Sequence, residues 1–249
     1  MSTAILISGQ MRTFAQCLPT LQWACFRKLE DPRFFISCAN DIQANSAGDL
    51  YRYYPMESVF IEAIDQPELT EPDHALADHA PYAISVKPQS ILRQAWHMKR
   101  VYEFAMRNGA AKCDTFVRCR PDLWMTDCED GTAEWASHNP TMCFCPWWGR
   151  FAGANDRFAI MGAKAAPAYF GMFDQIDALL AAGCPFHPES LLLAALEISG
   201  IEVHHTLNAV FSTLRMPEPD PRNPGQFRQE RRFPEIQPQE IAEYARSAR

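Results

Sequence analysis

The sequence predicts an α/β fold with a mostly parallel central sheet flanked by helices. Strand-like and helix-like segments alternate along the chain, and this order places helices over a largely parallel sheet. Hydrophobic residues make up 47% of the sequence and charged residues 21%, as in ordinary globular proteins. With 249 residues the chain is long enough for one sizeable core. We therefore expect a single domain over residues 1–215 and a tail over residues 216–249.

The first half of the chain contains three predicted strands and two predicted helices. Apolar runs predict strands at residues 3–8, 33–38 and 58–63. Helical spacing appears within residues 12–29, where Pro19 requires a break or a late start, and at residues 90–108, between Ser90 and Gly109. Residues 66–83 are polar and proline-containing, which predicts a long loop of the kind that often forms a lid or a binding loop.

The second half continues the same alternation. Residues 113–125 begin as a strand that Pro121 should end. Further strands are expected at residues 141–146, 158–161 and 201–205, and helices at residues 167–182 and 188–199. After Leu214, six prolines interrupt a polar stretch. Such a stretch predicts a tail that wraps around the domain or lacks fixed structure, with a short helix at residues 239–246 as a further option.

Charge and cysteine content exclude several classes of protein. The net charge is −7 and no basic block interleaves with aromatic residues, so we expect no nucleic-acid partner. The first residues lack a basic segment, and no apolar run approaches the roughly 20 residues of a membrane span. We therefore expect a cytoplasmic protein without a membrane span. The nine cysteines show no CxxC spacing and are expected to be reduced thiols in the core.

Candidate ligand-binding residues follow the predicted strands, because open α/β sheets bind ligands at the carboxyl ends of their strands. Arginines with carboxylates suit a phosphorylated ligand, with or without a divalent cation. Further polar residues stand just before a later strand and a later helix. The whole set is Gly9, Gln10, Arg12, Asp41, Arg118, Arg120, Asp122, Asp156, His187 and Glu189.

The segment from Arg118 to Asp122 is the sharpest of these features. Strand alternation places Arg118 and Arg120 on one face, where buried charges are costly unless they are paired or bind a ligand. Ion pairs with Asp114, Asp122 or a neighbouring helix are the structural alternative. The other motifs also have plain alternatives: a strand-to-helix turn at residues 8–12, a turn at 155–157 and a helix start at 187–189. Trp147 and Trp148 could form a sugar-stacking platform or anchor a loop.

Several of these runs together resemble a poorly characterised group of GT-A-type glycosyltransferases. The similarity covers roughly residues 4–203 and follows the order of its motifs. It implies a GT-A-like fold, a Rossmann-like nucleotide-sugar transferase fold. The runs that carry it are residues 5–14, Gln94-Ala95-Trp96, residues 114–122, residues 155–160 and His187-Pro188-Glu189.

The resemblance implies transfer of a sugar from a UDP- or GDP-linked donor to a glycan or another hydroxyl acceptor. In that reading Gly9, Gln10 and Arg12 line the nucleotide and diphosphate, and Asp41 contacts the nucleoside. Arg118 and Arg120 would hold the diphosphate, Asp122 and His187 would bind Mn²⁺ or Mg²⁺, and Asp156 or Glu189 would act as general base. The chain departs from the family's Asp-x-Asp motif, because Arg120-Pro121-Asp122 stands at the matching position.

Two other functions remain open. The missing first aspartate is consistent with a catalytically inactive relative that binds a nucleotide or a glycan. Another phosphate-handling transferase, such as a sulfotransferase, would need a phosphate-binding loop at the first turn, and residues 8–12 lack the spacing of one.

Overall fold

A seven-stranded sheet forms the centre of the molecule in the computed structural model, which describes residues 1–73 and 87–214. In spatial order its strands are β3 (Val59–Ile64), β2 (Pro32–Ala39), β1 (Thr3–Gly9), β4 (Thr115–Cys119), β7 (Phe158–Gly162), β6 (Met142–Pro146) and β8 (Glu202–Leu207). All neighbouring pairs are parallel except those of β7, which runs antiparallel to both β4 and β6. The mostly parallel α/β sheet is thus confirmed.

Helices cover both faces of this sheet, because its strands alternate their apolar side chains between two cores. In β1, Ala4 and Leu6 belong to one core and Ile5 and Ile7 to the other. The first core packs against α2 (Pro88–Arg107), α4 (Ala166–Phe170), α5 (Ile176–Ala181) and α6 (Pro188–Ile198), and the second against α1 (Phe14–Ala24) and α3 (Thr132–His138).

A second, two-stranded sheet joins β5 (Leu123–Cys128) to β9 (Ala209–Thr213) in antiparallel fashion. This sheet was not predicted from the sequence. The amide of Leu214 donates to the carbonyl of Asp122 at 2.8 Å, and the Thr13 hydroxyl donates to the carbonyl of Leu214 at 3.1 Å. The described chain therefore ends beside the segment that follows β4.

Other elements differ in detail from the expectation. The helix expected at residues 167–182 is divided into α4, a 3₁₀ segment at Gly171–Gln175, and α5. Helix α1 continues through Pro19. Proline has no N–H to donate to the carbonyl of Ala15, but both residues face solvent, so water can bind that carbonyl. Residues 66–73 have no regular structure, while the rest of the predicted loop and the tail from residue 215 onward lie outside the described residues.

All nine cysteines are free thiols, and eight of them are buried, as expected for core residues. Burial raises the pKa of the Cys38 thiol to about 11, which keeps it protonated at neutral pH. No helix in the described ranges is both long and apolar enough to cross a bilayer.

Candidate functional site

The carboxyl ends of β1, β2 and β4 meet at one edge of the sheet. The register pairs Gly9 with Cys38 and Ile7 with Cys119, so the segments after these strands start side by side. The amide of Arg120 donates to the carbonyl of Arg157 at 3.0 Å, which joins the segment after β4 to the one before β7. Residues from distant parts of the sequence are thereby brought together at this edge.

Arg118 is buried beneath this edge, with only 1% of the residue exposed. Its Nη1 donates to the Ser8 hydroxyl at 2.8 Å, and its Nε donates to the carbonyl of Asp156 at 3.5 Å. Among the described residues, no carboxylate oxygen lies within ion-pair distance of this guanidinium. Burial lowers the pKa of Arg118, because the charged form is poorly solvated there. This cation would be stabilised by an anionic ligand.

Arg120 forms a two-pronged ion pair with Asp122. Its Nε lies 2.9 Å from Oδ1 of Asp122, and its Nη2 lies 2.7 Å from Oδ2. Although burial disfavours the charged guanidinium, the charge of Asp122 outweighs it, so that the pKa of Arg120 lies above its ordinary value. The ion pair with Asp122 that the sequence offered as an alternative is thus present for Arg120.

Asp156 lies in a turn that Asn155 stabilises. The Asn155 side-chain oxygen accepts the amides of Arg157 and Phe158 at 3.0 and 3.2 Å, as an Asx turn does. Asp156 itself is 2% exposed, and its Oδ2 accepts a hydrogen bond from the side-chain amide of Gln94. Its Oδ1 has no hydrogen-bond partner among the described residues, although Nε of Arg157 is 3.8 Å away. A buried carboxylate oxygen in this state is suited to accept a hydrogen bond from a substrate hydroxyl.

His187 and Glu189 lie at the start of α6, next to this turn. Oε1 of Glu189 accepts from Nη2 of Arg157 at 3.2 Å, and Oε2 lies 3.0 Å from Nδ1 of His187. Burial, followed by the negative charge of Asp156, raises the pKa of Glu189 to about 8. Burial also lowers the pKa of His187. At neutral pH Glu189 therefore carries a proton and the imidazole is neutral.

The loop between β6 and β7 is clamped onto the start of α6. A Cβ atom on Gly153 would lie 2.1 Å from the carbonyl carbon and oxygen of Glu189, so only glycine fits there. The amide of Ala154 donates to the same carbonyl at 2.9 Å. The turn that carries Asp156 and the helix start that carries Glu189 are therefore held at a fixed distance from each other.

The remaining candidate residues stand apart from this cluster. Gly9 has φ of +119°, a conformation that favours glycine at the end of β1. Gln10 and Arg12 follow it on the surface, and the hydrogen bonds of the described residues do not connect them to the cluster. The side chain of Asp41 accepts the amide of Gln43 at 2.9 Å, as in an Asx turn.

Sequence reasoning gave no role to several polar residues that surround the cluster. Gln94 entered only through the resemblance, Ser8 entered as the first residue of the turn at residues 8–12, and His97 was not considered. Gln94 and His97 lie three positions apart on α2, so both fall on the face that also buries Ile91 and Met98. Polar residues on a buried helical stripe are the signal that could have identified them. Burial, together with the charge of Arg118, lowers the pKa of His97 to about 4.

The side chains that the structure describes do not fit a divalent cation held by Asp122 and His187. Mg²⁺ and Mn²⁺ prefer several oxygen ligands. Both oxygens of Asp122 accept from Arg120, and within residues 1–73 and 87–214 no three His, Cys, Asp or Glu side chains form a metal-binding group.

Comparison with known proteins finds a likeness in fold only. No protein-family model and no curated protein matches the chain. Among solved structures, the chain is similar to the mannosyltransferase Ktr4p from S. cerevisiae, with a TM-score of 0.52. The likeness is one of fold. The two sequences are 11% identical, and the similarity covers 87% of this chain and 71% of that one, so it supports the architecture and not a shared substrate.

Proposed function

We propose that this protein is a glycosyltransferase that moves a sugar from a nucleotide-sugar donor to a hydroxyl of an acceptor. The observation that carries the proposal is the cluster at the carboxyl edge of a glycosyltransferase-like sheet. There Arg118, Arg120 and Arg157 lie among Asp122, Asp156 and the protonated Glu189. With three guanidinium groups against two aspartates and the protonated Glu189, the cluster can accept an anionic group such as a donor diphosphate.

The arginines would stabilise the leaving group. When the bond between the anomeric carbon and the phosphate oxygen breaks, the nucleoside diphosphate departs with the electron pair and gains negative charge. A guanidinium has five N–H groups, and Asp122 accepts from two of them on Arg120. Arg120 can thus bind phosphate oxygens while Asp122 fixes its orientation, and Arg118 adds positive charge from beneath.

Asp156 is the better of the two candidates for general base. The acceptor oxygen forms a new bond to the anomeric carbon, and its proton moves to a carboxylate. Oδ1 of Asp156 is the buried acceptor without a partner among the described residues. Glu189 is protonated at neutral pH and already lies between Arg157 and His187, so it serves as a hydrogen-bond donor and not as a base.

The test is a donor screen on the full chain. UDP- and GDP-linked sugars, including mannosyl donors because the solved relative is a mannosyltransferase, are incubated with and without manganese. Release of UDP or GDP is then measured. We expect nucleotide release with one donor class and a loss of at least about 100-fold in Asp156→Asn. Glu197→Gln, an exposed change on α6, serves as the matched control.

The outcomes separate the alternatives. Binding of UDP or GDP in a thermal-shift assay without turnover of any donor would favour the inactive relative. Stabilisation by an adenosine bisphosphate and by neither UDP nor GDP would contradict the glycosyltransferase and favour a sulfotransferase.

A further inference from the structure

The loop between β6 and β7 carries aromatic residues that the proposed chemistry does not use. The sequence left open whether Trp148 is a sugar platform or a loop anchor. The structure favours the anchor, because its indole N–H donates to the carbonyl of Ala209 at 2.8 Å and its ring packs 4.5 Å from that of Phe211. Trp148 therefore fastens the base of the loop to β9.

Phe151, at the tip of the same loop, lies next to the candidate site. The guanidinium carbon of Arg157 is 5.6 Å from the centre of the Phe151 ring, and the His187 ring is 5.8 Å away in an edge-on arrangement. Nevertheless 38% of the residue is exposed. Since Arg157 follows Asp156 in the chain and binds Glu189, the ring stands beside the groups proposed to act on the acceptor.

The backbone that presents Phe151 is strained. Phe151 and Ala152 have φ of +41° and +59°, in the left-handed region that costs a non-glycine residue about 1 kcal/mol or more. Glycines stand on both sides of this turn: Gly149 also has a positive φ of +61°, and Gly153 packs against the backbone of Glu189. The fold thus keeps a strained turn and exposes an aromatic ring at the same place. Contact with a ligand is a physical reason for both features.

We propose that Phe151 forms the stacking wall of an acceptor subsite, and that the acceptor is a pyranoside. This inference rests on the proposed function. The face of an aromatic ring is electronegative, and the apolar face of a pyranose presents C–H bonds of slight positive charge, so the two stack. Hydroxyls of a sugar placed there would extend past the ring edge towards Arg157 and His187, which adjoin the ring and supply polar contacts. An aliphatic hydroxyl compound without a ring would gain nothing from Phe151.

The experiment compares Phe151→Ala, Phe151→Trp and the control Trp135→Ala in the full chain. Trp135 is 63% exposed on α3, which packs against the second core, on the other face of the sheet from α6. The acceptor probes are methyl α-mannopyranoside, methyl β-glucopyranoside and methyl β-galactopyranoside, with glycerol as a hydroxyl compound that has no ring. We expect Phe151→Ala to raise the KM of the best pyranoside about 10-fold more than that of glycerol. Phe151→Trp should retain most of the affinity, and Trp135→Ala should behave as wild type.

Equal rises in KM for the pyranoside and for glycerol, or no rise in Phe151→Ala, would overturn the proposal. Binding of the same pyranosides is also measured by saturation-transfer NMR, which needs no donor. If the wild type turns over no donor, the proposed function fails. The NMR experiment still tests whether Phe151 binds a pyranoside. Signals lost in Phe151→Ala and kept in Trp135→Ala support it, and wild-type protein that binds none of the probes contradicts it.

Discussion

Asp156 has one carboxylate oxygen bound by the side chain of Gln94 and the other without a partner among the described residues. We expect Gln94→Ala to let the carboxylate rotate, since nothing else among the described side chains holds Oδ2. The kcat should fall between about 10- and 100-fold with little change in donor KM. Gln89→Ala is the matched control, because Gln89 lies on the same helix and donates to the carbonyl of Leu69 at 2.8 Å. Steady-state kinetics with equal loss of kcat in both variants would contradict a positioning role.

Glu189 should make the stability of the protein depend on pH. Its pKa is about 8 in the folded protein and 4.5 in its ordinary state, so the folded chain keeps a proton that the unfolded chain has lost. Its contribution to stability is fully present below pH 4.5 and is lost as the pH rises through about 8. We expect the free energy of unfolding to fall by up to about 1.4 kcal/mol per pH unit in this window.

Glu189→Gln should remove most of that dependence, because glutamine does not titrate. Urea unfolding at pH 5.5, 6.5, 7.5 and 8.5 checks this, with Glu197→Gln as the exposed control on the same helix. A slope in Glu189→Gln equal to that of the wild type would show that another group titrates.

At the scale of elements, the contact between the β6–β7 loop and α6 makes a sharp prediction about Gly153. A methyl group there would lie 2.1 Å from the Glu189 backbone, so the loop or the helix must move. We expect Gly153→Ala to lower the free energy of unfolding by about 1–3 kcal/mol or more. Pyranoside binding should be lost with it, because His187 and Phe151 would separate. The control is Gly171→Ala, where φ is −85° and no atom lies within 4 Å of the added carbon. Thermal unfolding should show little change there, and equal effects of the two changes would contradict the clamp.

The sequence predicted the seven-stranded sheet well and the two-stranded sheet not at all. Within these strands, runs such as residues 4–7 and 34–36 are apolar at every position because helices cover both faces. In β5, by contrast, Trp124 is exposed while Leu123 and Met125 are buried, and its partner β9 lies more than 80 residues along the chain. Such long-range pairing leaves no local signal. The direction of β7 could not be predicted either, because a buried strand has the same hydrophobic pattern whether it runs parallel or antiparallel to its neighbours.

The sequence predicted which residues belong to the candidate site, but not which of them contact each other. The structure shows those contacts. Residues that precede β7 and α6 join Arg118 and Arg120 because the loops before these elements return the chain to one edge. The partners that decide their chemistry, Gln94 and Ser8, come from other elements, and their contacts depend on tertiary packing alone.

At the scale of the whole molecule, the expected domain boundary near residue 215 can be tested by truncation. A chain of residues 1–215 keeps β9, which pairs with β5, buries Phe211 and supplies the Ala209 carbonyl that binds Trp148. We expect this chain to unfold in one cooperative transition close to that of the full chain. A chain of residues 1–208 loses β9 and exposes the edge of β5 together with the apolar surface under Phe211.

The shorter chain should therefore lose stability by several kcal/mol, since burying one phenylalanine alone is worth about 1.5–3 kcal/mol. Urea unfolding followed by circular dichroism checks both chains. Folding of the 1–208 chain with full stability would show that the two-stranded sheet is dispensable. Failure of the 1–215 chain to fold would place the residues after 215 within the domain, because only those residues distinguish it from the full chain.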